Sequence, residues 1–175
     1  MNARLTYFED FETGQTVHHR RGRTIIQPEN VRWTLATMNT AQGHWNVESL
    51  KDYFGGVFEQ PLVNGTLVLA VAAGLTSEDI TGGNCGDLGL NDITIKTPVC
   101  PGDTLWATSE ILEKRGAPGR DDAGIVVYRI RAHNQHGQQV CSMVRSFLAK
   151  RRSHWTEKDT RFLERHWPAF SEFTS

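Results

Sequence analysis

The stretch that decides the fold is Thr66-Leu-Val-Leu-Ala-Val-Ala-Ala-Gly-Leu75, which contains no charged residue. A membrane-spanning helix needs about 20 apolar residues, so this shorter run predicts a helix buried inside a folded domain. A helix that is apolar on every side has to be covered by other elements. The strand-rich half that follows is the expected cover, and the polar residues before the helix should lie at the mouth of the cavity between them.

Composition favours one ordinary domain. The chain has 175 residues, of which 38% are hydrophobic and 22% are charged. Its 19 basic and 20 acidic side chains give a net charge of −1, which offers no electrostatic basis for binding nucleic acid or a membrane surface. The first residues lack the apolar core of a signal peptide. Cys85, Cys100 and Cys141 are not closely paired, which fits a reducing, cytoplasmic location better than a disulfide framework or a metal site.

The second half predicts an antiparallel sheet. Alternating or β-branched segments, the expected strands, span Asp92–Pro98, Thr104–Leu112, Ile125–Ala132 and Val140–Ala149. His136-Gly137 is expected to form the hairpin turn between the last two strands, and Gly116–Asp122 is expected to be a polar loop. One helix ahead of several adjacent strands indicates an α+β fold, in which the sheet curls around the helix.

Two segments precede the apolar helix. Thr16–Ile26 looks extended, and its run of basic residues is typical of a solvated edge strand. Pro28 and Glu29 signal the start of a helix whose inner face should carry Val31, Leu35 and Met38. That helix is expected to end near Asn39, which would place Asn39 and His44 in a loop that can face a cavity.

The composition changes again after Lys150-Arg151-Arg152. We interpret residues 1–152 as the main domain and residues 153–175 as a helical tail that packs on this domain or on a partner subunit. Within the tail, Thr156–Asp159 resembles a capping box and predicts a short helix. The tail also carries several aromatic residues that could cover apolar surface: Trp155, Phe162, Trp167, Phe170 and Phe173.

Four motifs resemble those of the MaoC-like dehydratases, the hot-dog-fold family that includes the (R)-specific enoyl-CoA hydratases. The resemblance runs over residues 7–150. The motifs are the Tyr7-Phe-Glu-Asp-Phe11 start, Met38-Asn39 through His44 for Gly-Asp-x-Asn-Pro-x-His, Pro61-Leu-Val-Asn-Gly65 for Pro-x-x-His-Gly, and Pro98-Val-Cys-Pro-Gly-Asp-Thr-Leu105 for Pro-Val-x-x-Gly-Asp-x-Leu. Their order and spacing identify the hot-dog fold.

The resemblance implies a function and a set of site residues. It implies a long helix wrapped by a curved antiparallel sheet, a homodimer or higher homo-oligomer, and addition or removal of water at an enoyl thioester of CoA or a carrier protein. No metal or organic cofactor is implied. His44 matches the family's histidine, the acid/base, and Gly65 matches the glycine whose amide faces the thioester oxygen. Asn39 stands where the family has its catalytic Asp.

Asparagine can hold a water molecule but cannot accept its proton at neutral pH. The variant motif is similar to that of a subgroup related to mesaconyl-CoA and β-methylmalyl-CoA hydratases, which suggests a branched or dicarboxylic acyl group. A non-catalytic protein that binds acyl thioesters is the alternative.

A simpler interpretation of His44 is a loop histidine that satisfies backbone groups. Further residues, all expected near substrate, are Asn64 (which could instead cap the helix), Glu59, Val63 and Arg151.

Overall fold

Four long antiparallel strands form most of the sheet. The structure is a computed structural model, and it describes residues 5–166. The strands are β1 (Thr16–His18), β2 (Arg23–Thr24), β3 (Asn84–Ile95), β4 (Thr104–Ala117), β5 (Arg120–His133) and β6 (Gln139–Lys150). The sheet order is β1-β4-β5-β6-β3, with β2 also pairing with β4. The α+β class and the antiparallel sheet are therefore confirmed.

The apolar run forms helix α2 (Gly65–Leu75), which packs on β4, β5 and β6. Its sheet-facing side chains, including Val68 and Ala72, are buried in the main core. On the opposite side Ala70 and Gly74 are exposed, and they line an open groove of about 480 Å³. The expectation that this helix is covered all round was therefore wrong for the single chain, because the sheet covers only one of its sides.

Helix α1 (Gln27–Ala36) starts as predicted but presents a different face to the domain. Its buried residues are Asn30 and Thr34, whereas Leu35 and Met38 are 58% and 88% exposed. The predicted apolar inner face was wrong. Trp33 packs against the hydrophobic core, but the buried side of the helix mainly meets loop backbone around residues 44 and 62–64. Backbone amide and carbonyl groups need polar partners when they are buried.

The connections between strands are tighter than the sequence suggests. Gly116–Asp122 was expected to be a polar loop, but β4 runs to Ala117 and β5 begins at Arg120. The two strands turn at Gly119, whose φ of +71° is the left-handed conformation that glycine adopts readily. The turn at His136-Gly137 is confirmed, since Gly137 has a φ of +74° and the Gly137 N–H donates to the Asn134 carbonyl at 3.0 Å.

Strand β1 is an edge strand, as expected, but the basic run around it is not wholly solvated. His19 is only 5% exposed. Its Nδ1 lies 2.7 Å from Asp79 Oδ2, and its Nε2 lies 2.9 Å from Ser109 Oγ. The geometry resembles a Ser-His-Asp relay, but Ser109 is 1% exposed and out of reach of any substrate. The three side chains therefore form a structural brace, which we call the His19 brace.

Helix α3 (Arg152–His166) contains the predicted short helix and extends it in both directions. It contacts the end of the sheet through an ion pair of 2.7 Å between Lys150 Nζ and Asp159 Oδ1 and a hydrogen bond of 3.0 Å from Trp155 Nε1 to the Asp122 carbonyl. Trp167, Phe170 and Phe173 lie outside the described residues, and the division of the chain at residue 152 stays a prediction. Among residues 5–166, no helix is both long enough and apolar enough to cross a membrane.

Candidate active site

His44 ends a short 3₁₀ turn, Gln42–His44, and its ring is half-buried. Its Nδ1 lies 2.9 Å from the carbonyl oxygen of Leu62. Because a carbonyl can only accept a hydrogen bond, Nδ1 carries the proton in the neutral ring. The lone pair is then on Nε2, so this nitrogen is the one that can accept a proton from water.

Gly65 is the first residue of α2, where backbone N–H groups lack partners within the helix. Asn64 satisfies its neighbours, since Thr66 N–H donates to Asn64 Oδ1 at 3.0 Å and Leu67 N–H donates to the Asn64 carbonyl at 2.9 Å. Within the described part of the chain, the Gly65 N–H makes no hydrogen bond. It therefore remains available, at the positive end of the helix, for a carbonyl or oxyanion acceptor.

Gly65 lies against the tip of the Ile95 side chain, near the end of strand β3. A Cβ atom at this position would lie 2.6 Å from Ile95 Cδ1, which is shorter than any ordinary contact between carbon atoms. The amide of Gly65 is therefore next to the end of the β3 edge strand.

The loops that carry His44 and Gly65 are joined by one buried side chain. The carboxamide of Asn30 donates from Nδ2 to the carbonyl oxygens of His44 at 3.0 Å and Leu62 at 3.1 Å. Its Oδ1 accepts from the Asn64 N–H at 2.8 Å. Sequence reasoning did not identify Asn30; the available signal was a pair of polar residues, Asn30 and Thr34, at helical spacing on one side of α1.

Asn39 lies in the same loop as His44, just beyond the end of α1. Its Oδ1 accepts from the Ala41 N–H at 2.8 Å, so the oxygen that was expected to hold water already has one partner. The preceding residue, Met38, has a φ of +56°. This left-handed conformation usually takes glycine at the end of a helix and costs other residues about 1 to 2 kcal/mol.

Three further predicted residues lie on the segment that leads into α2. Asn64 is buried and acts as the helix cap, so of the roles considered for it the structure shows capping. The Val63 side chain lies in the hydrophobic core. Glu59 is exposed and lines a shallow depression with Gln60 and Cys100.

The structure does not bring Arg151 to this group. Its Nε donates to the Ala123 carbonyl at 3.3 Å, and its guanidinium lies 4.5 Å from the ring centre of Phe8. Gly65 lies beside Ile95, which pairs with Cys141 near the start of β6. The part of β6 from Cys141 to Lys150 is about 30 Å long at about 3.3 Å per residue. Arg151 follows its far end. Within one chain, Arg151 therefore lies far from Gly65.

The titratable groups outside this loop region show structural roles. Burial raises the pKa of the Cys141 thiol to about 11, and burial also raises the pKa of Cys85 and Cys100, so the cysteines behave as apolar fillers. Among residues 5–166, no cluster of three or more histidine, cysteine or acidic side chains could hold a metal ion.

A helix lying on one side of an antiparallel sheet is the hot-dog architecture, and solved structures share it. A MaoC-like dehydratase from Rhodospirillum rubrum superposes with a TM-score of 0.71 at 18% identity, over 83% of this chain and 97% of that one. A protein from Mycobacterium tuberculosis with a double hot-dog fold superposes with a TM-score of 0.74 at 21% identity, over 86% of this chain and 46% of that one.

The family model for mesaconyl-CoA hydratase matches residues 2–164, and the chain belongs to this family. A β-methylmalyl-CoA dehydratase from Chloroflexus aurantiacus is 30% identical over 122 residues, which cover 70% of this chain and 34% of the relative. The chain spans 34% to 40% of the length of the first curated relatives that it matches. The predicted resemblance to the MaoC-like proteins, and to this subgroup, is confirmed.

Proposed function

We propose that this protein is a lyase that adds water to, or removes it from, the C2–C3 bond of an acyl thioester. The observation that carries the proposal is the hydrogen bond from His44 Nδ1 to the Leu62 carbonyl. It leaves Nε2 able to move a proton, and it fixes the ring to the segment that ends at the free Gly65 N–H. A proton-transfer group and an oxyanion donor are the two parts that hydration of an enoyl thioester requires.

The reaction follows from these two groups. In the hydration direction, His44 Nε2 accepts a proton from water as the water oxygen bonds to C3. The electron pair of the double bond moves towards the thioester carbonyl, whose oxygen gains negative charge and accepts a hydrogen bond from Gly65 N–H. The proton held by His44 is then delivered to C2, and the carbonyl re-forms. All atoms of one water molecule end on the product, so this scheme needs neither a metal nor an organic cofactor.

A dicarboxylic acyl-CoA such as mesaconyl-CoA is the proposed substrate class. A carboxylate at residue 39 would repel a second carboxylate about 4 Å away by about 1 to 4 kcal/mol, depending on the effective dielectric constant. Asn39 removes this repulsion. The substrate's own carboxylate then assists in holding the water that the family's Asp would hold.

Replacement of Asn39 by aspartate tests this argument. In the Asn39→Asp variant we expect turnover of crotonyl-CoA, which has no second carboxylate, to rise, and turnover of mesaconyl-CoA to fall about 5- to 800-fold, as the repulsion energy predicts. The measurement is loss of the enoyl-thioester absorbance band with each substrate. A matched control is Asn46→Asp, because Asn46 also has its side-chain oxygen bonded to backbone N–H groups in the neighbouring turn. Equal changes with both substrates would contradict the charge argument.

A non-catalytic protein that binds acyl thioesters remains the second candidate. The contact that favours it is the hydrogen bond from Ala41 N–H to Asn39 Oδ1, because it occupies part of the oxygen that would otherwise hold water. Binding of a panel of enoyl-CoAs without any loss of the enoyl band would support this candidate and exclude the lyase.

We also propose that a second hot-dog unit, from another copy or another chain segment, covers the free edge of β3. Among residues 5–166 this strand pairs with β6 alone, and its side chains Leu88, Leu90, Ile93 and Ile95 are each about half exposed. A long apolar edge strand is a surface that soluble proteins normally cover.

Substitution of Ile93 by lysine tests whether the β3 edge is an interface between copies of the chain. We expect Ile93→Lys to weaken self-association at least about 10-fold, because a lysine ammonium at the centre of an apolar interface loses its hydration. Sedimentation velocity across a concentration series is the measurement. Thr160→Lys adds the same charge on the exposed side of α3 and should leave the association unchanged. A wild-type protein that is monomeric throughout would exclude an interface between copies.

A further inference from the structure

We propose that Asn30 is a positioning residue that holds His44 in one tautomer and ties it to the N-terminus of α2. The inference deepens the proposed function, on which its kinetic consequence rests. Asn30 is completely buried, and it sits between the two loops that carry the proton-transfer group and the oxyanion donor.

The contacts of Asn30 reach both loops. Nδ2 donates to the Leu62 carbonyl, the same oxygen that accepts from His44 Nδ1. Nδ2 also donates to the carbonyl of His44 itself, and Gln27 Nε2 supports this carbonyl at 3.1 Å. Oδ1 accepts from the N–H of Asn64, the residue immediately before Gly65. One side chain therefore contacts the acceptor of the imidazole, the backbone of the imidazole residue and the cap of α2.

The chemistry of these partners fixes the orientation of the carboxamide. Asn64 N–H is a donor and must face the oxygen, while the two carbonyls are acceptors and must face the NH₂ group. An aspartate has the same shape, yet its ionised form would place an oxygen against the two carbonyls. Only an amide presents a donor on one side and an acceptor on the other, so this position requires asparagine and not only a side chain of its size.

Loss of the amide donor should affect the reaction step more than binding. In Asn30→Asp we expect the Leu62 carbonyl to move away from His44 Nδ1, so that the ring becomes a mixture of tautomers. We expect kcat to fall about 10- to 100-fold, since small displacements of a reacting group have effects of this size, and KM to change by less than about 3-fold.

The test combines enzyme kinetics with a direct determination of the His44 tautomer. Long-range ¹H–¹⁵N spectra of the ¹⁵N-labelled protein, assigned with His44→Ala, report which ring nitrogen carries the proton. The wild type should show His44 protonated on Nδ1, and Asn30→Asp should show a mixture. Asn134→Asp is the matched control, because Asn134 is another buried asparagine, distant from His44 in sequence and bonded to Gln138 and His136 in the β5–β6 turn. It should leave both the tautomer and kcat unchanged.

Each possible result of these experiments either supports or overturns the positioning role of Asn30. A wild-type His44 protonated on Nε2 would overturn it without any variant, so the test holds even if Asn30→Asp fails to fold. An unchanged tautomer and kcat in Asn30→Asp, or an equal fall in kcat in Asn134→Asp, would also overturn it. If no thioester is turned over by the wild type, the proposed function fails, and the tautomers of wild type and Asn30→Asp still decide whether Asn30 positions His44.

Discussion

His44→Ala should lower kcat/KM for hydration of the enoyl thioester by about 10²- to 10⁴-fold, the usual contribution of a positioned acid/base. The structure contains His44 as a half-buried ring with Nδ1 bonded to Leu62, so alanine removes the proton acceptor without emptying a core site. The fold should therefore survive, and binding of a saturated acyl-CoA should change little. The measurement is loss of the enoyl band, with isothermal titration of the saturated thioester alongside it.

His136→Ala provides the comparison for this variant. His136 is exposed in the turn between β5 and β6, and its removal should leave kcat/KM unchanged. If His44→Ala kept more than about a tenth of the wild-type activity, its loss would be far below the acid/base range and the assignment would be wrong. His44→Gln separates the two roles of the ring further, because glutamine can still donate to Leu62 but cannot carry a proton between water and C2.

Removal of the His19 brace is expected to give the largest loss of stability. In His19→Ala the Ser109 hydroxyl stays buried without its partner and Asp79 loses its bond to Nδ1. Unpaired buried polar groups and the vacated volume together should lower the free energy of unfolding by about 2 to 4 kcal/mol. Urea denaturation measures this as a lower midpoint with an unchanged slope.

The neighbouring substitution Arg20→Ala is the control, because Arg20 is exposed and should change stability by no more than about 0.5 kcal/mol. A loss below about 1 kcal/mol in His19→Ala would mean that water replaces the imidazole and that the brace contributes little.

The same brace predicts a pH dependence of stability. Burial lowers the pKa of the His19 imidazole below its ordinary value of 6.5, and the Asp79 contact opposes this effect. The unfolded chain therefore binds the proton more readily than the folded chain. The contribution of His19 is complete above pH 6.5 and is lost as the pH falls from there through the lower pKa of the folded state. His19→Ala should flatten this part of the stability profile between pH 7.5 and 5, a range chosen to span the ordinary histidine pKa of about 6.5.

Most of the sheet and the central helix could be predicted because they depend on local patterns. The strand expected at Asp92–Pro98 is an exception, since β3 runs over Asn84–Ile95. The apolar run from Thr66 to Leu75 and the alternation in Thr104–Leu112 lie inside elements found at those positions, since burial on one or both sides leaves a signature in the sequence. The turn at Gly137 was equally readable, because its left-handed φ favours glycine.

The inner face of α1 could not be predicted by the same rule. Its apolar residues Leu35 and Met38 point outward, and its polar residues Asn30 and Thr34 are buried. Periodicity assumes that a helix packs through apolar side chains, but this helix packs against loop backbone, whose position depends on contacts distant in sequence. The same limit explains His19, which was expected on a solvated edge.

The predicted site residues stay a prediction, but the structure places those that a motif supplied on neighbouring segments. His44 and Gly65 lie on loops that Asn30 joins, and Asn64 caps α2 as one of the expected alternatives. Arg151 was expected near substrate, but the length of β6 places it at the opposite end of the sheet from Gly65. The charge of a residue and its position in the sequence do not show whether its end of a long strand lies near a given loop.

The way in which α1 is attached has a consequence for motion. The helix is held to the loops by directional polar contacts through Asn30. Its fully buried residues are Asn30 and Thr34, and its partly buried hydrophobic residue packed against the core is Trp33. Apart from the Trp33 side chain, detachment of this segment would expose little nonpolar surface to solvent. The free energy of this local opening should therefore depend weakly on urea concentration and carry a small change in heat capacity. The strands beneath it, which open only with the interior, should respond steeply. Local opening of α1 beside the candidate site is thereby separated from unfolding of the hydrophobic core.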